Sequence, residues 1–154
     1  MEKNFVEILG IFSIIFLLFF LSNCAKTSDK NLNGISIYNG DKIIKINAEI
    51  ADDSNEIARG LMFREKLDKN SGMLFIFKNE YYQTFWMKNT LIPLDMIFIN
   101  SSKKIVDIKL AVPCLRDPCL LYRSSRPSKY VLELNGNFTI RNNIKIGDSI
   151  TLNQ

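Results

Sequence analysis

The chain has 154 residues, of which 47% are hydrophobic and 23% are charged, and its formal net charge is +4. This composition is typical of one folded domain with a short appendage, and it excludes a disordered or collagen-like chain. Histidine is absent, which excludes Ser-His-Asp and Cys-His catalysis, histidine metal sites and histidine pH switches. The cations are scattered without interleaved aromatic residues, so no nucleic-acid partner is expected.

The N-terminal segment is strongly apolar. The stretch Ile8–Leu21 contains only one glycine and one serine among large apolar residues. It is shorter than the roughly 20 residues of a membrane-spanning helix and matches the apolar region of a secretory signal. Leu21-Ser22-Asn23-Cys24 then resembles a bacterial lipobox, in which the cysteine is lipidated. We predict a lipoprotein signal peptide over residues 1–23 and lipidation at Cys24, with an uncleaved membrane anchor as the alternative.

These features predict an exported protein that is attached to the membranes of the bacterial cell envelope. Ala25, rather than Asp, follows Cys24, which favours the outer membrane in bacteria with two membranes. Residues 24–34 are polar and predict a flexible tether. A single β-rich domain is expected over residues 35–154.

The predicted elements of this domain are short. Apolar and polar residues alternate from Ile44 to Ile50, which predicts a half-buried strand. Asp52-Asp53-Ser54 can cap a helix of about three turns, with Gly60 as a weak point. Further apolar runs bounded by turn residues predict strands at Gly72–Phe77, Thr84–Lys88, Leu94–Ile99, Ile105–Val112, Tyr130–Leu134 and Ser149–Leu152. The expected fold is mainly β, a sandwich or compact barrel of six to eight strands with one or two short helices.

Several segments together indicate a family. They are Arg59–Arg64, Gly72–Phe77, Phe85–Thr90 with Leu94-Asp95, Pro113-Cys114 with Pro118-Cys119 and Tyr122, Tyr130–Leu134, and Gly147-Asp148. In this order they resemble the bacterial and archaeal family called domain of unknown function 192 (DUF192), from about Ile44 to Leu152. The resemblance implies a jelly-roll-like sandwich and, in many members, export or lipid anchoring, but no established activity. It also implies a helix after Leu132-Glu133-Leu134, where Asn135–Asn143 predicts one or two turns beginning at Asn135 or Asn137.

Six residues are candidates for a binding site: Arg64, Trp86, Asn89, Thr90, Asp95 and Tyr122. Asp95 stands in the apolar run Leu94–Ile99, where burying it ionised without a partner would cost several kcal/mol. One interpretation places the six residues around a cleft for a small polar ligand. The other makes Asp95 and Arg64 a structural ion pair and Asn89-Thr90 a turn.

Cys114 and Cys119 are the only thiols left once Cys24 is acylated, and export places them where oxidation is possible. Asp117-Pro118 supplies a turn between them, so we predict a disulfide. No metal site and no cofactor are expected. Helix capping explains the cluster Asp52, Asp53 and Glu56 better than a calcium site does.

Three classes of function follow. We favour a binding module for a small polar ligand, such as a saccharide or another component of the envelope. The alternative is a structural or accessory lipoprotein of the envelope that binds no ligand. A hydrolase is the third and least favoured class, and it would use Asp95 and Glu133 as a carboxylate pair.

Overall fold

The computed structural model describes residues 33–40 and 42–153. The predicted signal peptide, Cys24 and most of the predicted tether lie outside the described residues. Within these two ranges, no helix is long and apolar enough to cross a membrane. The mainly β fold class is confirmed, since the described residues form nine strands and two short helices.

The strands are β1 (Asn33–Asn39), β2 (Lys42–Ala51), β3 (Ser71–Tyr81), β4 (Thr84–Trp86), β5 (Leu94–Ile99), β6 (Ile105–Ala111), β7 (Leu121–Arg123), β8 (Ser128–Asn135) and β9 (Ser149–Asn153). Seven of them form one curled half-barrel in the order β6-β5-β8-β3-β2-β1-β9, and β4 pairs with β7 in a second, small sheet. All neighbours are antiparallel except β2 and β3, which are parallel. Parallel strands need a crossover connection, and here it carries a helix.

The two helices are α1 (Ser54–Arg59) and α2 (Phe138–Arg141). Asp53 caps α1 by accepting a hydrogen bond from the backbone N–H of Glu56 at 2.8 Å. The prediction of about three turns for α1 is wrong, because the helix ends after six residues, where Gly60 adopts a φ of 47°. A side chain at Gly60 would also place its Cβ 3.2 Å from the Phe75 ring. Asn137 precedes α2, as the sequence predicts.

The large sheet buries apolar side chains on both faces. On one face, Ile97, Leu132 and Leu74 pack with Phe138 of α2, and we call this the α2 face. On the other face, Met96, Phe98 and Phe75 pack with Leu61, which follows α1, and we call this the α1 face. β5, an interior strand of the sheet, is therefore buried along its whole length.

The small sheet covers part of the α1 face. Phe85 of β4 lies opposite Tyr122 of β7 in register. The Phe85 ring meets the rings of Phe75 and Phe98 edge to face, at centroid distances of 5.0 and 6.2 Å. Such pairs of aromatic rings add specific orientation to apolar burial, so they fix the position of the small sheet on the large one.

We call the end of the large sheet at which β3 and β5 begin the site end. Asn47, in the middle of β2, lies opposite Ser71 at the start of β3. Leu94 at the start of β5 lies opposite both Asn135 and Ala111, which end β8 and β6. β1 is antiparallel to β2 and therefore runs towards the site end, with Asn33 opposite Ala48 and Asn39 opposite Lys42. Thus α2 and the loop after β6 leave the sheet at the site end, whereas α1 follows the other end of β2 and the chain returns from it to the start of β3.

Candidate functional site

Asp95 lies on the α2 face and is 1% exposed. Its carboxylate accepts hydrogen bonds from the backbone N–H of Asn137 at 2.9 Å and of Thr139 at 2.7 Å. The Thr139 hydroxyl donates a third hydrogen bond at 2.6 Å. The predicted ion pair between Asp95 and Arg64 is therefore wrong. Asp95 holds the first turn of α2 instead, since the exposed N–H groups of a helix start are natural partners for a buried carboxylate.

Arg64 pairs with Glu49 of β2 near the site end. Its two terminal nitrogens donate to the two carboxylate oxygens of Glu49 at 2.5 and 2.7 Å. The hydrogen bond to Glu49 raises the pKa of Arg64. Both side chains are about one-third exposed or less, at 34% and 27%. Arg64 thus contributes to a surface groove, away from Asp95.

Asn89 and Thr90 form part of a tight turn, as the structural interpretation proposed. The N–H of Thr90 donates to the carbonyl of Met87 at 3.2 Å, and Asn89 has a φ of 57°. Asparagine tolerates this left-handed conformation better than most residues do. The carbonyl of Asn89 accepts a hydrogen bond from the N–H of Phe63 at 2.8 Å. The turn is thereby attached to the segment that follows α1.

Tyr122 is 9% exposed and has a structural partner. Its hydroxyl accepts a hydrogen bond from the N–H of Val112 at 3.1 Å. This contact joins β7 to the beginning of the loop after β6. Tyr122 therefore orders the start of this loop.

Cys114 and Cys119 are joined by a disulfide with Cα atoms 5.5 Å apart. Asp117 lies between them in the sequence and forms an ion pair with Lys88, with a nitrogen-to-oxygen distance of 3.2 Å. The Lys88 ammonium lies 5.6 Å from the ring centroid of Trp86. Asp117 and the two sulfurs lie close together, but sulfurs in a disulfide are not thiolates and cannot bind a metal as thiolates do. The loop instead holds a cation beside Trp86.

Glu133 is the residue that the sequence-based site omitted. It stands in β8 between Leu132 and Leu134, and it is 4% exposed. Among the described residues its carboxyl group has no hydrogen-bond or ion-pair partner. Burial raises the pKa of Glu133 to about 8, so the carboxyl carries a proton at neutral pH. A charged residue flanked by leucines in a strand is the sequence signal that could have identified it.

The Glu133 carboxyl lines a small pocket of about 30 Å³ on the α1 face. Trp86 and Thr90 form one part of its lining, while Gly60 and Leu61 form another. Of the predicted site residues, the structure thus brings Trp86 and Thr90 together at one pocket. Trp86 is 48% exposed, whereas Thr90 is buried.

A larger groove of about 470 Å³ adjoins this pocket. Arg59, Gly60 and Met62 line both spaces, so the segment after α1 forms their common wall. Arg64 and Glu49 lie along the groove. Arg59 is exposed and makes no ion pair with any described residue. The pocket and groove together offer a buried acid, an aromatic side chain and a cation.

Asp95 and Glu133 cannot form the carboxylate pair of a hydrolase. In the β5–β8 register, Asp95 lies opposite Leu134, and Glu133 lies opposite Met96. Residues directly opposite each other share a face, and adjacent residues along a strand point to opposite faces. Asp95 therefore points to the α2 face and Glu133 to the α1 face, which contradicts the hydrolase hypothesis in the form based on this pair.

The chain belongs to the family DUF192, "Uncharacterized ACR", whose sequence profile matches residues 35–152. A crystal structure of a protein from Sinorhizobium meliloti, called a "putative transcription regulator", is similar, with 33% identity and a TM-score of 0.73. That similarity covers 78% of this chain and 92% of the other. A protein of unknown function from Novosphingobium aromaticivorans is also similar, with 34% identity, a TM-score of 0.72, and coverage of 77% and 83%. No curated protein matches the chain.

Proposed function

We propose that this protein is a binding module that holds a small polar ligand in the Glu133 pocket and the adjoining groove. The observation that carries the proposal is a buried carboxyl group without a partner that lines a pocket. Burying such a group costs free energy, and an apolar residue at the same position would remove that cost. A binding role would explain why Glu133 is kept without a partner in spite of this cost. Asp95, on the opposite face, accepts three hydrogen bonds instead.

The chemistry of the pocket favours a hydroxyl group of the ligand. A protonated carboxyl can donate one hydrogen bond and accept another, as a hydroxyl can. The volume of about 30 Å³ suits one group of the size of water. A ligand hydroxyl would therefore replace a water-sized occupant and pair with Glu133.

The groove favours a saccharide with an acidic substituent. Trp86 presents an exposed aromatic surface beside the pocket, which suits the apolar face of a sugar ring. Arg59 is free to pair with a carboxylate or phosphate, and its fork of donors matches the geometry of both groups. An acidic component of the cell envelope combines all three features.

Export and lipid anchoring are part of this proposal. They are supported by the apolar segment Ile8–Leu21, the lipobox-like sequence that ends at Cys24, and a disulfide in the domain. The membrane would then be a partner through the lipid, with the outer membrane favoured by Ala25. In cells fed a labelled fatty acid, Cys24→Ser should leave an unprocessed precursor without label. Unchanged labelling and size in this variant would reject the anchor.

The ligand proposal is tested by titrating the protein with glucuronic acid and N-acetylglucosamine and following the fluorescence of Trp86, the single tryptophan of the chain. Glucuronic acid should change the emission and raise the melting temperature, because a bound ligand stabilises the folded state by mass action. Glu133→Leu should abolish both effects and increase the intrinsic stability. Glu133→Gln is the matched control, since it keeps the size and a donor and should retain part of the binding.

The structural alternative makes the opposite prediction. If Glu133 only supports the fold, Glu133→Leu should lower the melting temperature, and neither sugar should have any effect on the wild type. That combination would overturn the proposal of a binding module.

A further inference from the structure

The loop between β6 and β7, residues 112–120, exposes several large apolar side chains, and we call it the disulfide loop. Leu115 is 90% exposed, Leu120 is 67% exposed, and Val112 is 55% exposed. Leu121, the first residue of β7, is 62% exposed and lies opposite Trp86 in register. Single exposed leucines are common, but a group of them in one short segment marks a surface for interaction.

The disulfide loop is held in this exposed conformation. The disulfide closes it between Cys114 and Cys119. The N–H of Cys114 also donates to the carbonyl of Met87 at 3.3 Å, and the contact between Val112 and Tyr122 fixes the start of the loop. The leucines are therefore kept away from the two cores of the domain, where a free loop could place them.

The charges around these leucines are positive. Arg116 in the loop and Arg123 at the end of β7 are both exposed. Asp117 is the only acidic residue between Val112 and Arg123, and it is paired with Lys88. Exposed leucines flanked by unneutralised arginines suit an anionic bilayer, where the apolar groups enter the interface and the cations meet the headgroups.

The predicted lipid anchor would bring the domain close to this partner. The disulfide loop follows Ala111 at the site end of the sheet, and β1 runs towards that end in the same direction as β6. Only eight residues separate Cys24 from Asn33, which allows a span of at most about 30 Å. A lipid on Cys24 would therefore keep the domain within about 30 Å of the bilayer, which is close enough for the disulfide loop to reach it.

We propose that the disulfide loop is a membrane-contacting surface, in which Leu115, Leu120 and Leu121 enter the interface of an anionic bilayer and Arg116 and Arg123 contact its headgroups. The surface acts in addition to the proposed anchor and does not involve Glu133. It would orient the domain so that the pocket lies near the membrane, where envelope components are found.

The test uses the full chain bound to vesicles of phosphatidylcholine with about 30% phosphatidylglycerol, some of whose acyl chains carry bromine, because anionic headgroups attract basic segments. Trp86 is the single tryptophan and lies opposite Leu121, so its fluorescence reports contact between this surface and the lipid. Brominated lipid should quench Trp86 about twofold in the wild type, as expected for an aromatic group at the interface. The double variant Leu115→Asp/Leu120→Asp should lose this quenching while remaining bound through its N-terminal segment.

Ile146→Asp is the matched control. Ile146 is 60% exposed and lies near Ile105, at the end of the sheet opposite the site end, so this variant should be quenched like the wild type. Absence of quenching in the wild type, or undiminished quenching in the double variant, would overturn the proposal. Shielding of Trp86 that grows with protein concentration in the absence of vesicles would instead indicate a second copy as the partner. Glu133→Leu should keep the lipid quenching, so failure of the ligand proposal is distinguishable from failure of this one.

Discussion

Asp95 and Glu133 are two buried carboxyl groups on neighbouring strands of one sheet, and the molecule treats them in opposite ways. Asp95, on the α2 face, accepts three hydrogen bonds from Asn137 and Thr139. Glu133, on the α1 face, lines a pocket and has no partner among the described residues. The two side chains are similarly buried, at 1% and 4% exposure.

The difference separates a structural group from a candidate for binding. A carboxylate that accepts three hydrogen bonds from the fold stabilises it and has little left to offer a ligand. A carboxyl group without partners destabilises the fold and gains most from a ligand. Burial alone does not distinguish these roles, whereas the list of partners does.

The largest effect is expected from Asp95→Ala. It should reduce the free energy of unfolding by about 3–5 kcal/mol, because two backbone N–H groups and a hydroxyl would lose their acceptor in a buried site. Asp95→Asn should cost less, since its amide oxygen can still accept. Denaturant midpoints of a segment that contains residues 33–154 would measure both. A loss below about 1 kcal/mol for Asp95→Ala would mean that α2 does not depend on this carboxylate.

Glu133→Gln should change how stability depends on pH. Burial raises the pKa from 4.5 to about 8, so between these values the folded state binds the proton more tightly than the unfolded state. The free energy of unfolding must therefore fall as pH rises through this window, and fully ionised Glu133 is most costly above it. We expect the wild type to lose about 2–4 kcal/mol relative to Glu133→Gln between pH 5 and pH 8. Parallel curves for the two proteins would show that Glu133 is not buried without a partner.

Loss of the disulfide should reduce the free energy of unfolding by an intermediate amount. Closing a loop with four intervening residues stabilises by about 2 kcal/mol, so the double variant Cys114→Ser/Cys119→Ser should lose about that amount. Its Trp86 should also become more accessible to a soluble quencher, because the loop holds Lys88 beside the indole. The disulfide itself is checked by counting thiols in the denatured Cys24→Ser variant without reductant. Two titratable thiols in that protein would show that Cys114 and Cys119 are not bridged.

The smallest effect is expected for the pair Arg64 and Glu49. Both side chains are partly exposed, so water screens their attraction, and a double-mutant cycle should give a coupling of about 0.5–1 kcal/mol. A cycle of Asp95→Ala with Arg64→Ala should give no coupling, since these residues do not meet. A coupling above about 2 kcal/mol between Arg64 and Glu49 would mean that the groove is drier than its exposure indicates.

Local patterns in the sequence predicted most of the strands. β5 coincides with the predicted run Leu94–Ile99, and α2 begins after Asn137, because alternation, turn residues and caps act over a few neighbouring positions. β1 and β7 were not predicted. β7 has three residues and exists through its pairing with β4, so no pattern of its own could have identified it.

The candidate site was predicted only in part. Trp86 and Thr90 do lie at the pocket, whereas Tyr122 supports the disulfide loop and Asp95 holds α2. Glu133 was considered only as a partner of Asp95. The error arose because the sequence indicates that both carboxyl groups are buried and gives no direct sign of the faces to which they point.

The sequence by itself determined the fold class, the family, the apolar N-terminal segment and the positions of the chemically distinct residues. These properties depend on composition, on periodicity along one strand and on the order of motifs, all of which the chain carries locally. The tertiary structure alone decided which residues are neighbours. The register of β5 against β8 sends Asp95 to the donors of α2 and Glu133 to the pocket behind Gly60. A shift of that register by one residue would bring both carboxyl groups to the same face, so the difference between a structural and a binding carboxyl is a property of strand pairing.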